Sequence, residues 1–203
     1  MDDFGILSGP AEWVAPRLLG SLLVRELDGE RLVGRIVETE AYDQTDAASH
    51  SYRGRTPRTD VMFGPAGHMY VYFTYGMHYC MNIVCGPEGH GAAVLIRALE
   101  PIEGEAVMLL NRGGRGGTAV SNGPAKVCQA LAINKHWNGH NLRNQPLQLM
   151  IQPPVELAQI VQTIRVGITQ AADVPWRFYI RDNPYVSKQS EVAFIKTKNR
   201  AGI

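Results

Sequence analysis

The chain lacks any apolar run approaching the ~20 residues needed to span a bilayer, so a membrane helix is not expected. It lacks a basic leader as well. Met1-Asp2-Asp3-Phe4 is acidic where a secretory signal would be basic, so export is not expected. No basic cluster reads as a nuclear address, and cytoplasmic placement is the expectation. Internal repeats, low-complexity tracts and a dividing linker are also absent, so residues 1–203 are expected to form one domain. Cysteine is scarce, with only Cys80, Cys85 and Cys128. An odd number without a regular framework excludes a disulfide scaffold and points to reduced thiols. Cys80 and Cys85, flanked by His78 and His90, have the outline of a zinc site. Cys80 sits in the apolar-rich run Tyr79-Cys80-Met81-Asn82-Ile83-Val84-Cys85, however, and buried thiols are the better reading.

Hydrophobic residues make up 45% and charged residues 19%, the balance of a folded globule rather than a disordered chain. The net charge of +1 conceals an asymmetry. Residues 1–46 hold ten acids against four arginines, while residues 47–203 hold nine acids against sixteen bases. A basic portion of this kind suits a phosphate backbone, although scattered solvated charge would give the same count.

Turn signals divide the chain into short elements. Pro10 to Leu19, stopped by Gly20, reads as an opening helix containing Pro16. Leu22 to Leu27 and Arg31 to Ala41 flank Asp28-Gly29, a strong hairpin signal. Residues 43–60 are polar and read as a long loop, which in a compact domain is usually functional or disordered. Met69–Thr74 and Tyr79–Val84 predict a second hairpin with Tyr75-Gly76-Met77 near its tip. Ala92–Leu99 reads as a strand, Glu103–Asn111 as a helix and Arg112–Thr118 as a glycine-rich loop. A further helix is expected through Ile133, capped by Asn122-Gly123-Pro124. Leu147–Ile151, the β-branched stretch 160–168 and Arg177–Ile180 complete the strands. The expected class is α+β: a curved, mainly antiparallel sheet flanked by helices, because tight turns dominate over helical crossovers.

Three segments carry residues suited to chemistry. In an extended Val37-Glu38-Thr39-Glu40-Ala41-Tyr42, the side chains of Glu38, Glu40 and Tyr42 share one side because the period is two. A carboxylate beside an aromatic wall suits a general base acting next to a planar ligand. Two carboxylates also suit a divalent cation or the acid–base pair of a sugar hydrolase, and a solvated strand end is the bland alternative. Tyr70, Tyr72 and Tyr75 fall within six residues and read as sheet packing or as stacking surfaces for nucleobases. His50 precedes Arg53, Arg55 and Arg58, a loop able to clamp phosphate oxygens or simply to stay solvated.

Read in order, these segments resemble a known family. The blocks are Leu18-Leu19-Gly20, Gly34 through Tyr42, Ala48-Ser49-His50-Ser51, Thr56-Pro57-Arg58, Met62-Phe63, Tyr70-Val71-Tyr72 and Tyr75-Gly76-Met77. They continue through Met81-Asn82, Leu95 through Pro101, Gly123-Pro124-Ala125-Lys126, Cys128 through Asn134 and Arg177-Phe178-Tyr179. The chain resembles the alkyladenine (methylpurine, 3-methyladenine) DNA glycosylases over nearly its whole length, and a dozen ordered blocks are far more specific than any one motif.

The resemblance implies a base-excision repair enzyme that flips an alkylated or deaminated purine from duplex DNA and hydrolyses its N-glycosidic bond, leaving an abasic site. Glu40 matches the general base that activates water, and Arg97 the arginine that holds nucleotide and water beside it. Tyr42, His50 and Tyr72 match the cage around the everted base, and Asn82 the residue that excludes the 2-amino group of guanine. Tyr75 matches the side chain that fills the vacated stack, while Met77, Thr56 and Arg58 match DNA-contacting positions. No lysine stands where a Schiff base would form, so a monofunctional glycosylase is expected. The family implies neither metal nor organic cofactor, and double-stranded DNA with damaged purines is the implied partner of a monomer. Two departures stand out: the 43–50 loop is one residue shorter than in some relatives, and His78 replaces a frequent aromatic. A catalytically silent nucleic-acid-binding module and a metal-dependent nuclease using Glu38 and Glu40 are the competing readings.

Overall fold

The computed structural model describes residues 3–74 and 76–187. The Asp28-Gly29 turn forms as expected, with positive φ of 51° and 86° at its two residues. This is the left-handed pair that a tight hairpin requires and that Asp-Gly tolerates. It joins β1 (Leu22–Leu27) to the long β2 (Glu30–Tyr42). β3 (Met69–Thr74) and β4 (His78–Val84) form the second hairpin, followed by β5 (Ala93–Glu103), β6 (Leu147–Met150), β7 (Ile160–Thr163) and β8 (Arg177–Ile180). They make one eight-stranded sheet in the order β3-β4-β5-β2-β1-β6, and β8 pairs with both β2 and β7. Every strand pairing recorded among the described residues is antiparallel. The class is α+β, as the turn pattern predicts.

Three short helices, α1 (Ala11–Arg17), α2 (Glu105–Asn111) and α3 (Pro124–Ala130), accompany the sheet. Their apolar faces meet the sheet in one core: Val14, Leu18, Val127, Cys128 and Leu131 pack with Met69, Val71, Met81, Ile83, Val94 and Ile96. All three cysteines are buried free thiols, in keeping with the sequence reading. Among the described residues no helix is long and apolar enough to cross a membrane.

Parity along β2 decides where the chemistry sits. Leu32 and Ile36 point into the core, and so does Ala41, an odd number of residues later. Thr39 also faces this side, donating from Oγ1 to the Ala15 carbonyl at 2.9 Å. A strand of strict period two cannot do this. The pairing of β2 with β5 explains it: Ile36 opposes Leu99, Glu38 opposes Ala98 and Thr39 opposes Ile96, leaving Val37 and Arg97 without partners. Val37 is therefore an extra residue that reverses which face each later side chain takes, and Arg97 is its counterpart on β5. The simple alternation expected from the sequence would have put Glu38 and Glu40 on the core side with Leu32 and Ile36. The irregularity turns them to the opposite face.

Several further boundaries differ from expectation: β5 runs past Leu99 to Glu103, so α2 starts only at Glu105, and α3 ends at Ala130 rather than Ile133. Asn122 does not cap α3; Gly123 occupies that position, and the Asn122 side chain accepts from Lys126 Nζ at 2.6 Å. The stretch 160–168 remains a strand only to Thr163. Arg165 to Ile168 instead leave the sheet and return over Glu40.

Gly104 ends β5 at φ 75°, and a Cβ there would lie 2.5 Å from Leu32 Cδ2 and 2.6 Å from the Arg31 carbonyl. Gly104→Ala combines left-handed strain with a backbone clash and is expected to destabilise the fold by about 2–4 kcal/mol. Urea unfolding measures this. A loss below about 0.5 kcal/mol would mean that the turn relaxes freely.

Candidate active site

Glu38 and Glu40 lie on β2 where the strand is flanked by β5 on one side and β8 on the other. Both residues are 0% exposed. Burying a carboxylate is tolerable only if its oxygens are paired and hydrogen-bonded. For Glu40 the donors are Val166 N–H to Oε1 at 2.7 Å, the Tyr42 hydroxyl to Oε2 at 2.8 Å and Arg97 Nη1 to Oε2 at 3.2 Å. The same Arg97 nitrogen lies 3.5 Å from the Val166 carbonyl. Glu38 receives Arg97 Nε at 3.1 Å and Arg177 Nε at 2.7 Å. Burial alone would lower the affinity of the Arg97 guanidinium for its proton. Glu40 and Glu38 outweigh that and raise it, so Arg97 is a fixed cation.

Above this cluster opens a cavity of about 190 Å³ lined by Tyr42, Ala48, His50, Met62, Tyr70, Tyr72, Thr74, Asn82, Gly167 and Ile168. Glu40 does not itself line it; the Tyr42 hydroxyl connects the carboxylate to the cavity floor. The residues expected to form the cage, Tyr42, His50, Tyr72 and Asn82, all face this space. His50 meets Tyr72 edge-on, with centroids 4.5 Å apart and planes at 82°, and its Nδ1 lies 2.9 Å from the Tyr70 hydroxyl. Asn82 is held by its Nδ2 donating to the Tyr70 carbonyl at 3.1 Å. Burial first, and then the Glu40 carboxylate, push the Tyr42 phenol well above its usual range, so it remains a neutral donor.

The loop that carries His50 is pinned at two points. Asp46 pairs with the buried Arg165, whose guanidinium also donates to the Ala41 carbonyl and lies 4.8 Å from the Tyr42 ring centroid. Asp43 accepts from Thr45 N at 2.9 Å and lies 2.6 Å from His90 Nε2. Burial would raise the Asp43 carboxyl, but the Thr45 and His90 hydrogen bonds outweigh it and keep the group ionised. Arg58 is exposed at the cavity rim, 5.9 Å from the Tyr72 centroid. Thr56 is exposed in the same loop, bonded through both its N–H and its hydroxyl to the Thr59 hydroxyl. On the β3–β4 hairpin, Met77 is 69% and Phe73 49% exposed. Tyr75 lies outside the described residues.

The structure thus gathers Glu40, Arg97, Tyr42, His50, Tyr72 and Asn82 in one place, with Arg58 at its rim. Tyr70, offered by the sequence as a stacking surface, also lines the cavity, whereas Ala48, Met62, Thr74 and the 166–168 segment were not singled out as parts of the site. For that segment a signal existed: Gly167 interrupts a β-branched stretch, a frequent mark of close backbone approach.

The comparisons with known proteins bear on this geometry. Residues 6–184 match the family model for methylpurine-DNA glycosylase. A protein of Carboxydothermus hydrogenoformans is 52% identical over 177 residues, covering 87% of this chain and 93% of its own. Relatives in Methanoculleus marisnigri and Francisella tularensis subsp. tularensis are 51% and 49% identical, covering 87% and 86% of this chain and 93% and 92% of their own. All three carry the provisional name 3-methyladenine DNA glycosylase. The chain belongs to the methylpurine-DNA glycosylase family.

Burial, with the nearby Arg58 adding to it, lowers the His50 pKa from 6.5 to about 4. Between those two values the unfolded chain takes up a proton that the folded one refuses, so His50 contributes stability above pH 6.5 that is lost as pH falls toward 4. An NMR titration of the His50 ring is expected to show a midpoint well below 6.5, and Arg58→Gln is expected to raise it. A wild-type midpoint at the ordinary value would show that the ring is hydrated rather than walled in.

Proposed function

We propose that this chain is a monofunctional DNA glycosylase that receives an alkylated purine, everted from duplex DNA, in the aromatic cavity and hydrolyses its N-glycosidic bond with a water activated by Glu40. The observation that carries this reading is a fully buried carboxylate, fixed by Arg97, Val166 and Tyr42, directly beneath a cavity walled by tyrosines and a histidine.

The chemistry follows from the geometry. A base inside the duplex shields its C1′ from water, so the nucleotide must rotate outward at a cost of a few kcal/mol, less for a damaged pair. The exposed apolar Met77 and Phe73 suit a hairpin pressed into the minor groove. Tyr75, between Thr74 and Gly76, is the proposed wedge, since a ring replaces the stacking that eversion removes. Exposed Arg58 and Thr56 are the proposed phosphate contacts near the cavity mouth. Within the cavity, Tyr42 and Tyr72 offer π faces to a purine, and a neutral His50 adds no repulsion toward an alkylated cation. Asn82, held rigid beneath the base edge, is the proposed exclusion of guanine's 2-amino group.

Loss of the base leaves an oxocarbenium-like sugar. The Glu40 carboxylate stabilises that charge and takes a proton from the incoming water, while Arg97 and the Val166 carbonyl supply the neighbouring donor and acceptor that orient it. The nuclease reading is not favoured by this donor set, because the Glu38 and Glu40 oxygens are already engaged by guanidinium, amide and hydroxyl groups. A silent binding module is not favoured either, since a buried carboxylate contributes nothing to phosphate recognition.

Glu40→Gln is expected to bind lesion-containing duplex with near-normal affinity and to release base roughly 10²–10⁴-fold more slowly. Duplexes bearing different alkylated purines, assayed in EDTA for free base and for strand scission, provide the measurement. Free base without scission from the wild type supports the reading. Normal turnover by Glu40→Gln, or strand breakage that EDTA abolishes, overturns it.

A further inference from the structure

Glu38 accepts more recorded hydrogen bonds than any other carboxylate among the described residues, yet it does not line the cavity, and the hydrolytic step described above does not use it. It accepts Arg97 Nε at 3.1 Å, Arg177 Nε at 2.7 Å, the Ser187 N–H at 2.7 Å and the Ser187 hydroxyl at 2.9 Å. Arg177 stands opposite Glu40 in the β2–β8 register but reaches diagonally to Glu38. Ser187 lies beyond residue 184, where the family match ends, and it is the last of the described residues before 188.

A guanidinium between two carboxylates can settle on either one. Its planar fork presents Nε and Nη1 along fixed directions, so anchoring one of them determines where the other points. Here Nε is held by Glu38 and Nη1 faces both Glu40 Oε2 and the Val166 carbonyl. We propose that Glu38, closed from above by Ser187 and braced by Arg177, is a positioning residue for base release: it orients Arg97 against Glu40 and divides the arginine's charge between the two carboxylates. This rests on Glu40 acting as the base.

The charge division has a direct consequence. Among the described residues, the ionised groups joined in this cluster are two carboxylates, Glu38 and Glu40, and two guanidiniums, Arg97 of β5 and Arg177 of β8. Neutral Tyr42 of β2 and Tyr72 of β3 face Glu40 from the cavity side. Glu38→Gln removes one negative charge and leaves Glu40 as the one described carboxylate bonded to Arg97. That weakens Glu40 as a base and makes it harder to protonate. The slow step should therefore fall in rate while the acid limb of its pH profile moves to lower pH. A structural brace alone would lower stability and leave that limb in place.

The test compares wild type, Glu38→Gln and Ser187→Ala in single-turnover base release across pH. Affinity for duplex carrying an abasic-site analogue and thermal stability are measured alongside. Glu38→Gln is expected to slow release roughly 10–100-fold, with its acid limb displaced downward and its affinity within about twofold of wild type. Ser187→Ala, which removes only the hydroxyl donor of a half-buried residue, is expected to slow release roughly two- to tenfold without losing its fold. It decides the matter if Glu38→Gln does not fold. Unchanged rates, or slower rates with an unmoved acid limb, overturn the proposal while wild-type base release stands. Absence of base release by the wild type instead overturns the functional reading beneath it.

Discussion

The rest of the site depends on Arg97 lying between two carboxylates that water cannot reach. Two isolated anions at this depth would not stay ionised, because the desolvation cost far exceeds what a few neutral hydrogen bonds return. Arg97 and Arg177 supply positive charge to the two carboxylates, and the Val166 amide, the Tyr42 hydroxyl and Ser187 occupy further lone pairs. Such a network is all or nothing. Complete, it is about as favourable as an apolar core, whereas removal of one member strands a buried charge at about 3–5 kcal/mol. That asymmetry holds Glu40 still, with its dipolar neighbours already aimed, which suits the base-release role proposed for it.

The sheet creates this arrangement through a defect rather than through its regular geometry. A flawless β2 would direct Leu32, Ile36, Glu38 and Glu40 to one face, and the core could not accept the two acids. The extra residue at Val37 lets one strand serve the core with Leu32, Ile36, Thr39 and Ala41 and the cavity with Glu38, Glu40 and Tyr42. The partnerless Arg97 on β5 faces the same reversal point. β8 covers the other edge of β2 at Glu38–Glu40, and the 165–168 segment supplies an amide to Glu40.

Much of this was legible in the sequence, and the rest was hidden for identifiable reasons. The hairpin at Asp28-Gly29, the tyrosine-rich strand Met69–Thr74 and the union of Glu40 and Tyr42 on one face all follow from turn chemistry and the two-residue period. The reversal at Val37 was not legible, because a bulge in a run of β-branched and polar residues leaves no compositional mark when no glycine is involved. The departure of residues 165–168 from the strand pattern left one mark, Gly167, but Val166 and Ile168 have strong β propensity, and the tertiary demand of Glu40 for a donor overrides it. Local spacing put Glu38 and Glu40 on one side of the strand without telling them apart, and the resemblance gave a role to Glu40 alone. Their difference lies in what β8 and Ser187 bring from more than 130 residues away, which local spacing cannot reveal.

Arg58 places two demands on the cavity that pull in opposite directions, and magnitudes decide between them. Its guanidinium helps hold His50 neutral and lies 5.9 Å from the Tyr72 ring, where a positively charged purine would be repelled. The side chain is exposed, however. In that setting the dielectric is close to that of water, and two unit charges several ångströms apart interact by about 1 kcal/mol or less, reduced further by salt. Against this stand about 0.5–2 kcal/mol of cation–π attraction within the rings and the counterion release that accompanies each neutralised phosphate. The repulsion is the smaller effect. Under the proposed function, an arginine at the rim therefore draws in the backbone without cancelling the cavity's attraction for a cationic base, provided that the His50 ring carries no charge of its own.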